Sequence, residues 1–312
     1  MYISEVSPQA RKGAYGALNQ VAICLGIVGS IFTGLGVTPA SPPARWRPMF
    51  GAALIPTLVH IFLLAKIPES PRWLGSTTAK ADAKRLWGAD AAAEMAAGAD
   101  ATPPAPSSWA RMVSPKYRRA TITAFLLFLC QQLSGINAVV YFSSQIFRDA
   151  GVESAVLASL AVMLTNVAGT VFVAAPLIDR FGRTPMLTAS YAGMSASMAV
   201  MGACMAAPAL AGTPLLTSVA VAGTIAYIFS FACGCGPVPG LLVPELFPAD
   251  LRGKGGSVAM ASHWGWNAVV GAAFLPLVAR TSVPAVYGGF AVVAALSAVF
   301  SKFGVQEPEK SK

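Results

Sequence analysis

Between Cys130 and Tyr141 the sequence reads Cys-Gln-Gln-Leu-Ser-Gly-Ile-Asn-Ala-Val-Val-Tyr, which sets three amides, a hydroxyl and a phenol inside a run otherwise apolar enough to enter a bilayer. Polar side chains stranded in hydrocarbon cost free energy unless they face protein, a cavity or a bound polar molecule, so these residues are the first candidates for function. At about 100° per residue along a helix, Gln131, Ser134, Asn137, Ala138 and Tyr141 share one arc of roughly 120°. Gln132 falls off that arc. A helix break at Gly135 would bring both glutamines to one side, and irregular backbone is tolerated at membrane depth where it lines a cavity. An amide offers two donors and an acceptor, which suits a neutral guest covered in hydroxyls. Interhelical hydrogen bonding between packed spans is the competing reading.

Other stretches carry chemistry of their own. Phe231 to Pro244 holds glycines at 234, 236 and 240 and prolines at 237, 239 and 244. Proline removes a backbone donor and clashes with the preceding turn, so this span cannot be a straight helix; it is either a bending gate or a static kink. Ser262-His263-Trp264-Gly-Trp266-Asn267 gathers an imidazole, two indoles and an amide in one apolar segment. His263 reads either as a neutral hydrogen-bonding side chain or as a proton relay, and His60 as structural. Carboxylates sit near bases at four places outside the apolar runs: Glu5 near Lys12, Glu69 near Arg72, Asp179 with Arg180 and Arg183, and Glu245 with Arg252. Cys24, Cys130, Cys204, Cys233 and Cys235 all lie in apolar segments and read as buried free thiols. Neither a metal set nor a cofactor motif is present, since Cys233 and Cys235 have no second ligand pair nearby.

The elements that must position these residues follow from composition. At 55% hydrophobic, 11% charged and mean hydropathy +0.62 over 312 residues, the chain is too apolar for a soluble domain and reads as an all-α polytopic membrane protein whose partner is the lipid bilayer. Its net charge of +9 points to positive-inside sorting rather than nucleic acid, because the Lys and Arg residues sit at span ends and in loops. Taking about 20 apolar residues per span, approximately eight spans are expected, at 14–37, 48–67, 120–143, 155–178, 186–207, 215–244, 257–279 and 284–303. Basic residues crowd alternate connections, which puts both termini on the cytosolic side or its topological equivalent. A polar connection, 68–118, separates residues 1–67 from a six-helix bundle at 119–304, and 305–312 form a tail.

The double-glutamine stretch resembles the Q-Q-x-S-G-x-N-x-x-x-Y-Y signature of the sugar porters, a branch of the major facilitator superfamily, with Phe142 in place of the second tyrosine. Further signatures of that family appear in family order: YISEVSPQARKG from Tyr2 to Gly13, PESPR from Pro68 to Arg72, DRFGR from Asp179 to Arg183, and GPVPGLLVPELFPADLR from Gly236 to Arg252. The resemblance implies the major facilitator fold with eight of twelve spans, Tyr2 to Gly13 closing the fourth, so that the chain corresponds to the last two thirds of such a transporter. It implies sugar contacts from Gln131, Gln132, Asn137, Gln20, Asn166, Trp264 and Asn267, and gating by Tyr141, Gly236, Pro237, Pro239 and Gly240. It further implies a cytosolic network of Glu5, Lys12, Glu69, Arg72, Asp179, Arg180, Arg183, Glu245 and Arg252 that releases as the bundles rock. Gly240 departs from the tryptophan common in relatives, and Lys12 from the usual arginine.

Leu18-Asn-Gln20, Gly236-Pro-Val-Pro239 and His263-Trp264 are most similar to the plastidic glucose transporters, which implies a hexose, glucose foremost, crossing the plastid inner envelope. Protons as a coupled ion stay open, because the family's coupling carboxylate belongs to its first span. The rival readings are a sugar sensor or non-transporting remnant, and a membrane enzyme. The enzyme is disfavoured because His60 and His263 have no carboxylate beside them.

Overall fold

A computed structural model describes residues 2–7, 12–34, 46–67, 85, 108–140, 147 and 155–305. Tyr141, Glu69, Arg72, most of the 68–118 connection and the end of the tail lie outside the described residues, as do the side chains of Glu5 and Lys12. The fold is helical throughout the rest. In chain order come α1 (Tyr2–Val6), α2 (Lys12–Gly34), α3 (Trp46–Gly51), α4 (Leu54–Leu64), α5 (Arg118–Leu133) and α6 (Ala155–Ala168). They are followed by α7 (Ala175–Phe181), α8 (Arg183–Ala206), α9 (Pro214–Ser230), α10 (Val238–Leu246), α11 (Ala249–Arg280) and α12 (Val283–Gly304).

Among the described residues six stretches are long and apolar enough to cross a membrane: Ala14–Gly34, Arg47–Leu64, Arg118–Val140, Leu157–Phe181, Pro214–Leu246 and Val283–Gly304. The two remaining expected spans correspond to α8, of 24 residues, and α11, of 32. At 1.5 Å per residue both are long enough to span, roughly 36 and 48 Å. Their lower apolarity reflects the serines of α8 and the Arg252, His263 and Asn267 of α11, side chains that need protein or a cavity beside them rather than lipid.

The core is built on α8. Leu187, Ser190, Tyr191, Met194, Met198, Met201 and Gly202 are its buried positions, spaced by three and four so that they form one stripe. Gly202 lets α12 approach until a Cβ would stand 3.2 Å from the Pro284 carbonyl, and the Ser195 hydroxyl crosses to the Ala291 carbonyl at 2.8 Å. A second helix pair, α5 and α11, is tied by Ser262 donating to the Phe125 carbonyl at 2.8 Å. The first part of the chain packs through α2, where Gly16 admits Leu241 of α10 so closely that no Cβ would fit. By contrast every side chain of α4 is exposed, a helix apolar all round that is at home only against acyl chains or other spans.

Among the described residues four spans are interrupted: one by a turn at Ala52–Ala53 between α3 and α4, and three in the bundle that follows. The double-glutamine span ends its α-helix at Leu133, turns through Ser134 and Gly135, and resumes at 136–140. Gly135 has φ +94°, and a Cβ there would lie 2.5 Å from the Phe290 ring. The other two breaks are π-helical, at Gly169–Ala174 between α6 and α7 and at Phe231–Cys235 between α9 and α10. The sequence reading covered the break at Gly135 and the one preceding Pro237; it passed over the break at Gly169, although Thr170 lies within that segment and Pro176 just after it. On the cytosolic motifs' side, a 3-10 turn at Trp109–Val113 docks on α11 through an Arg111–Asp250 ion pair and Lys254 lying 5.6 Å over the Trp109 ring.

Alanine at Gly135 must adopt a left-handed backbone, at about 1–2 kcal/mol, and also push the Phe290 ring aside. At Gly212, with φ +72° and open space around the Cβ position, only the backbone term applies. Gly135→Ala is therefore expected to lower the melting temperature in detergent clearly more than Gly212→Ala; equal shifts would contradict the close approach.

Candidate functional site

The structure gathers Gln131, Gln132 and Asn137 into one buried network and adds a member. Gln131 is 4% exposed and Gln132 fully buried. The Gln131 amide donates to the Cys235 carbonyl at 2.6 Å, while its Oε1 lies 3.2 Å from His263 Nδ1. Gln132 Nε2 approaches the same Nδ1 at 2.8 Å, and Asn137 donates to Gln132 Oε1. The helix break does not bring the glutamines together, as the sequence suggested. Both lie in α5 ahead of the turn, and what joins them is the imidazole of α11 placed between their side chains. The turn instead positions Asn137, two residues beyond Gly135. Ser134, expected on the polar arc, is spent on the break itself: its hydroxyl donates to the Gln131 carbonyl at 2.7 Å, and its own carbonyl accepts the Tyr227 hydroxyl at 2.9 Å.

Cys235 connects this network to the broken span. A π-helical segment leaves backbone groups without their α-helical partners, and at this depth no water can take them. The Ser190 hydroxyl, on α8, takes two: it donates to the Ser230 carbonyl at 2.7 Å and accepts from the Cys235 N–H at 2.8 Å. Gly234 is pressed against α8 with the Met186 carbonyl 2.4 Å from where a Cβ would stand, so the segment is seated as well as bonded. The second π-helical segment lies alongside, its Gly169 facing Ala232 with no room for a side chain between.

A cavity of about 640 Å³ opens beside the network and runs toward the charged end of α11. Gln20, Phe128, Gly236, Pro237, Gly240 and Arg252 are among its walls. Of the expected contact residues only Gln20 lines it. Gln131, Gln132 and Asn137 do not line it; the network reaches it through Phe128, whose ring meets the His263 ring edge-on at 5.1 Å. Gln20 also abuts the break, its Nε2 3.4 Å from the Cβ position of Gly236. Gly240 has open space where a side chain would project, and Pro239 is buried. Asn166 is 3% exposed with its Oδ1 unbonded among the described residues. Trp264 is 64% exposed and packs edge-on against His263, and Asn267 is half-buried.

The cytosolic pairs are rearranged relative to the sequence reading. Arg183 bonds Glu245 at 3.1 Å and Asp179 at 3.6 Å, linking α8, α10 and α7. Asp179 in turn accepts the Ala14 N–H of α2 at 3.2 Å, and Arg252 donates to the Pro244 carbonyl at 2.8 Å. Arg180 is exposed.

A sequence profile of the family described as "Sugar (and other) transporter" matches residues 1–311. The chain belongs to this sugar transporter family. Plastidic glucose transporter 4 of Arabidopsis thaliana is 39% identical over 98% of the chain and 57% of its own length. The galactose-proton symporter of Escherichia coli K12 is 31% identical over 89% of the chain and 61% of its own. The proton:xylose symporter XylE, solved with 6-bromo-6-deoxy-D-glucose, superposes with a TM-score of 0.80 at 27% identity, covering 97% of the chain and 66% of XylE. The sugar transporter chain thus spans about three-fifths of the length of the curated relatives it matches. With a major facilitator protein as its structural neighbour and six stretches able to cross a bilayer, it is an integral, multi-pass membrane protein.

Three functional contributors escaped the list of expected residues. His263 was visible as a lone histidine in an apolar span. Ser190 was one serine among several in α8, and the Cys235 carbonyl is a backbone group, so neither carried a signal. Removing the Ser190 hydroxyl leaves two buried backbone groups unpaired, so Ser190→Ala is expected to cost about 1–3 kcal/mol by thermal unfolding. Ser197→Ala, which removes a hydroxyl bonded only within its own helix, should cost much less. A similar loss in both would contradict the bridging role.

Proposed function

We propose that the protein moves a neutral hexose, glucose foremost, across a membrane by alternating access. The observation that carries this is the buried amide network tied to a broken span: Gln131, Gln132 and Asn137 supply donors and acceptors matched to hydroxyls, and the same Gln131 amide holds the Cys235 carbonyl of the segment that would bend. A guest that draws on these amides competes with the bond that steadies the gate. That competition converts binding into movement.

In this reading Gln20, Asn166, Trp264 and Asn267 complete the sugar site. The unbonded Oδ1 of Asn166 supports its part, since a buried acceptor without a protein partner is costly unless a guest supplies a donor. Gly236, Pro237, Pro239 and Gly240 form the gate together with Tyr141. Residues 119–304 act as one rocking body and 1–67 as part of the other, joined by 68–118. Arg183 with Asp179 and Glu245, and the contact of Asp179 with α2, support a closure at the cytosolic ends that loosens when the bodies rock. The plastidic glucose transporters among its relatives support a place in the plastid inner envelope, and the relatives named as proton symporters support testing proton coupling.

The test is counterflow of radiolabelled D-glucose in proteoliposomes, with L-glucose as control and with or without an imposed pH gradient. Saturable D-glucose exchange is expected, falling by about tenfold or more in Gln132→Ala while membrane insertion is unchanged. D-glucose binding without exchange would leave a sugar-binding sensor; neither binding nor exchange would overturn the reading.

A further inference from the structure

The orientations of the two glutamines are pinned from behind, and they present opposite groups to one nitrogen. Gln131 gives its N–H to the Cys235 carbonyl, which turns its Oε1 toward His263 Nδ1 at 3.2 Å. Gln132 accepts from Asn137 on its Oε1, which turns its N–H toward the same Nδ1 at 2.8 Å. A neutral imidazole nitrogen either carries a proton and donates or holds a lone pair and accepts. It cannot do both. Among the described residues the hydrogen bonds of the ring go to these two amides, and its plane is held edge-on by Phe128 at 5.1 Å and Trp264 at 5.0 Å. Asp179, Glu245 and Asp250, the acidic side chains among the described residues, stand at helix ends near the cytosolic motifs, so no carboxylate fixes the tautomer.

We infer that His263 is a positioning residue that holds the two glutamines by turns, its tautomer deciding which amide is bound to protein and which is left to receive a hydroxyl. With the proton on Nε2, Nδ1 accepts from Gln132 and the Gln131 oxygen is released. With the proton on Nδ1, the ring donates to Gln131, and the Gln132 N–H loses its 2.8 Å acceptor and keeps only the Nε2 lone pair at 3.4 Å. The first state leaves an unsatisfied acceptor and the second a weakly held donor. A hydroxyl can meet either one, being donor and acceptor at once, so a sugar arriving at the network finds a complementary partner in both states. The inference rests on the sugar-site reading for its consequence, but the alternating hold on the glutamines is a property of the protein alone.

The experiment is nitrogen NMR of the full 312-residue chain, labelled at histidine and held in detergent micelles, reading the ratio of Nδ1–H to Nε2–H imidazole. The sequence has two histidines, so His60→Gln assigns the His263 signals. Gln132→Met is expected to shift the ratio toward Nδ1–H, and Gln131→Met toward Nε2–H, each by about threefold or more. Asn137→Ala, at a half-buried position, should move it in the same direction as Gln132→Met but less, and it decides the matter if either methionine variant fails to insert. Shifts in the same direction for both glutamines, or none, would overturn the inference. Adding D-glucose, but not L-glucose, to the unsubstituted chain should also move the ratio. Opposite shifts in the variants without any response to D-glucose would keep the positioning role and defeat the sugar reading; binding of D-glucose without the opposite shifts would do the reverse.

Discussion

A helix that breaks at bilayer depth must find partners for the backbone groups it frees, because lipid offers none. This constraint organises the molecule. The segment Phe231–Cys235 frees the Ser230 carbonyl and the N–H and carbonyl of Cys235, and side chains from two other spans take all three: Ser190 of α8 and Gln131 of α5. Glycine at 234 brings α8 close enough for the first, and the second bond, at 2.6 Å, turns the Gln131 oxygen toward the imidazole of α11. Each of these groups would be a liability in lipid. Together they form a polar centre whose members are bonded to one another, with one face against a cavity through Phe128 and Gly236.

The centre explains why the bundle tolerates so many soft joints. Two π-helical segments meet at Gly169 and Ala232, the turn at Gly135 lies under the Phe290 ring, and of these three breaks the one at Phe231–Cys235 leads directly into the cavity wall, at Gly236, Pro237 and Gly240. At the other end, Arg183 joins α7, α8 and α10, and Asp179 reaches α2. The Arg183 and Glu245 side chains are only 16% and 12% exposed, so this pair is partly buried and less screened by solvent than a surface pair would be.

Much of this was legible in the residues. The polar run from Gln131 to Asn137 and the proline and glycine crowding from Gly234 to Pro244 violate what an apolar span should contain, and each marks a place where the structure departs from a plain rod; the lone His263 marks a polar contact on α11, which runs on unbroken. What the sequence could not give was partnership. Helical periodicity put Gln132 off the arc of Gln131, but periodicity describes one helix in isolation, and the imidazole that spans the two belongs to a helix 130 residues away in the chain. Likewise the Asp179, Arg183 and Glu245 groups were recognisable as charges near charges, while the choice of Glu245 by Arg183 depends on how α8 and α10 cross. The Ser190 bridge was invisible because a serine in an apolar helix most often bonds its own preceding turn, as Ser197 does.

Hydrogen–deuterium exchange of the lipid-embedded protein, read over residues 235–241 in the unsubstituted chain and in Gln131→Met, addresses the central constraint directly. If Gln131 holds the carbonyl that the break sets free, exchange across this segment should quicken by about tenfold in the variant while α12 is unaffected. Identical exchange in the two proteins would mean that the broken span stands without the amide, and that the polar centre does not govern it.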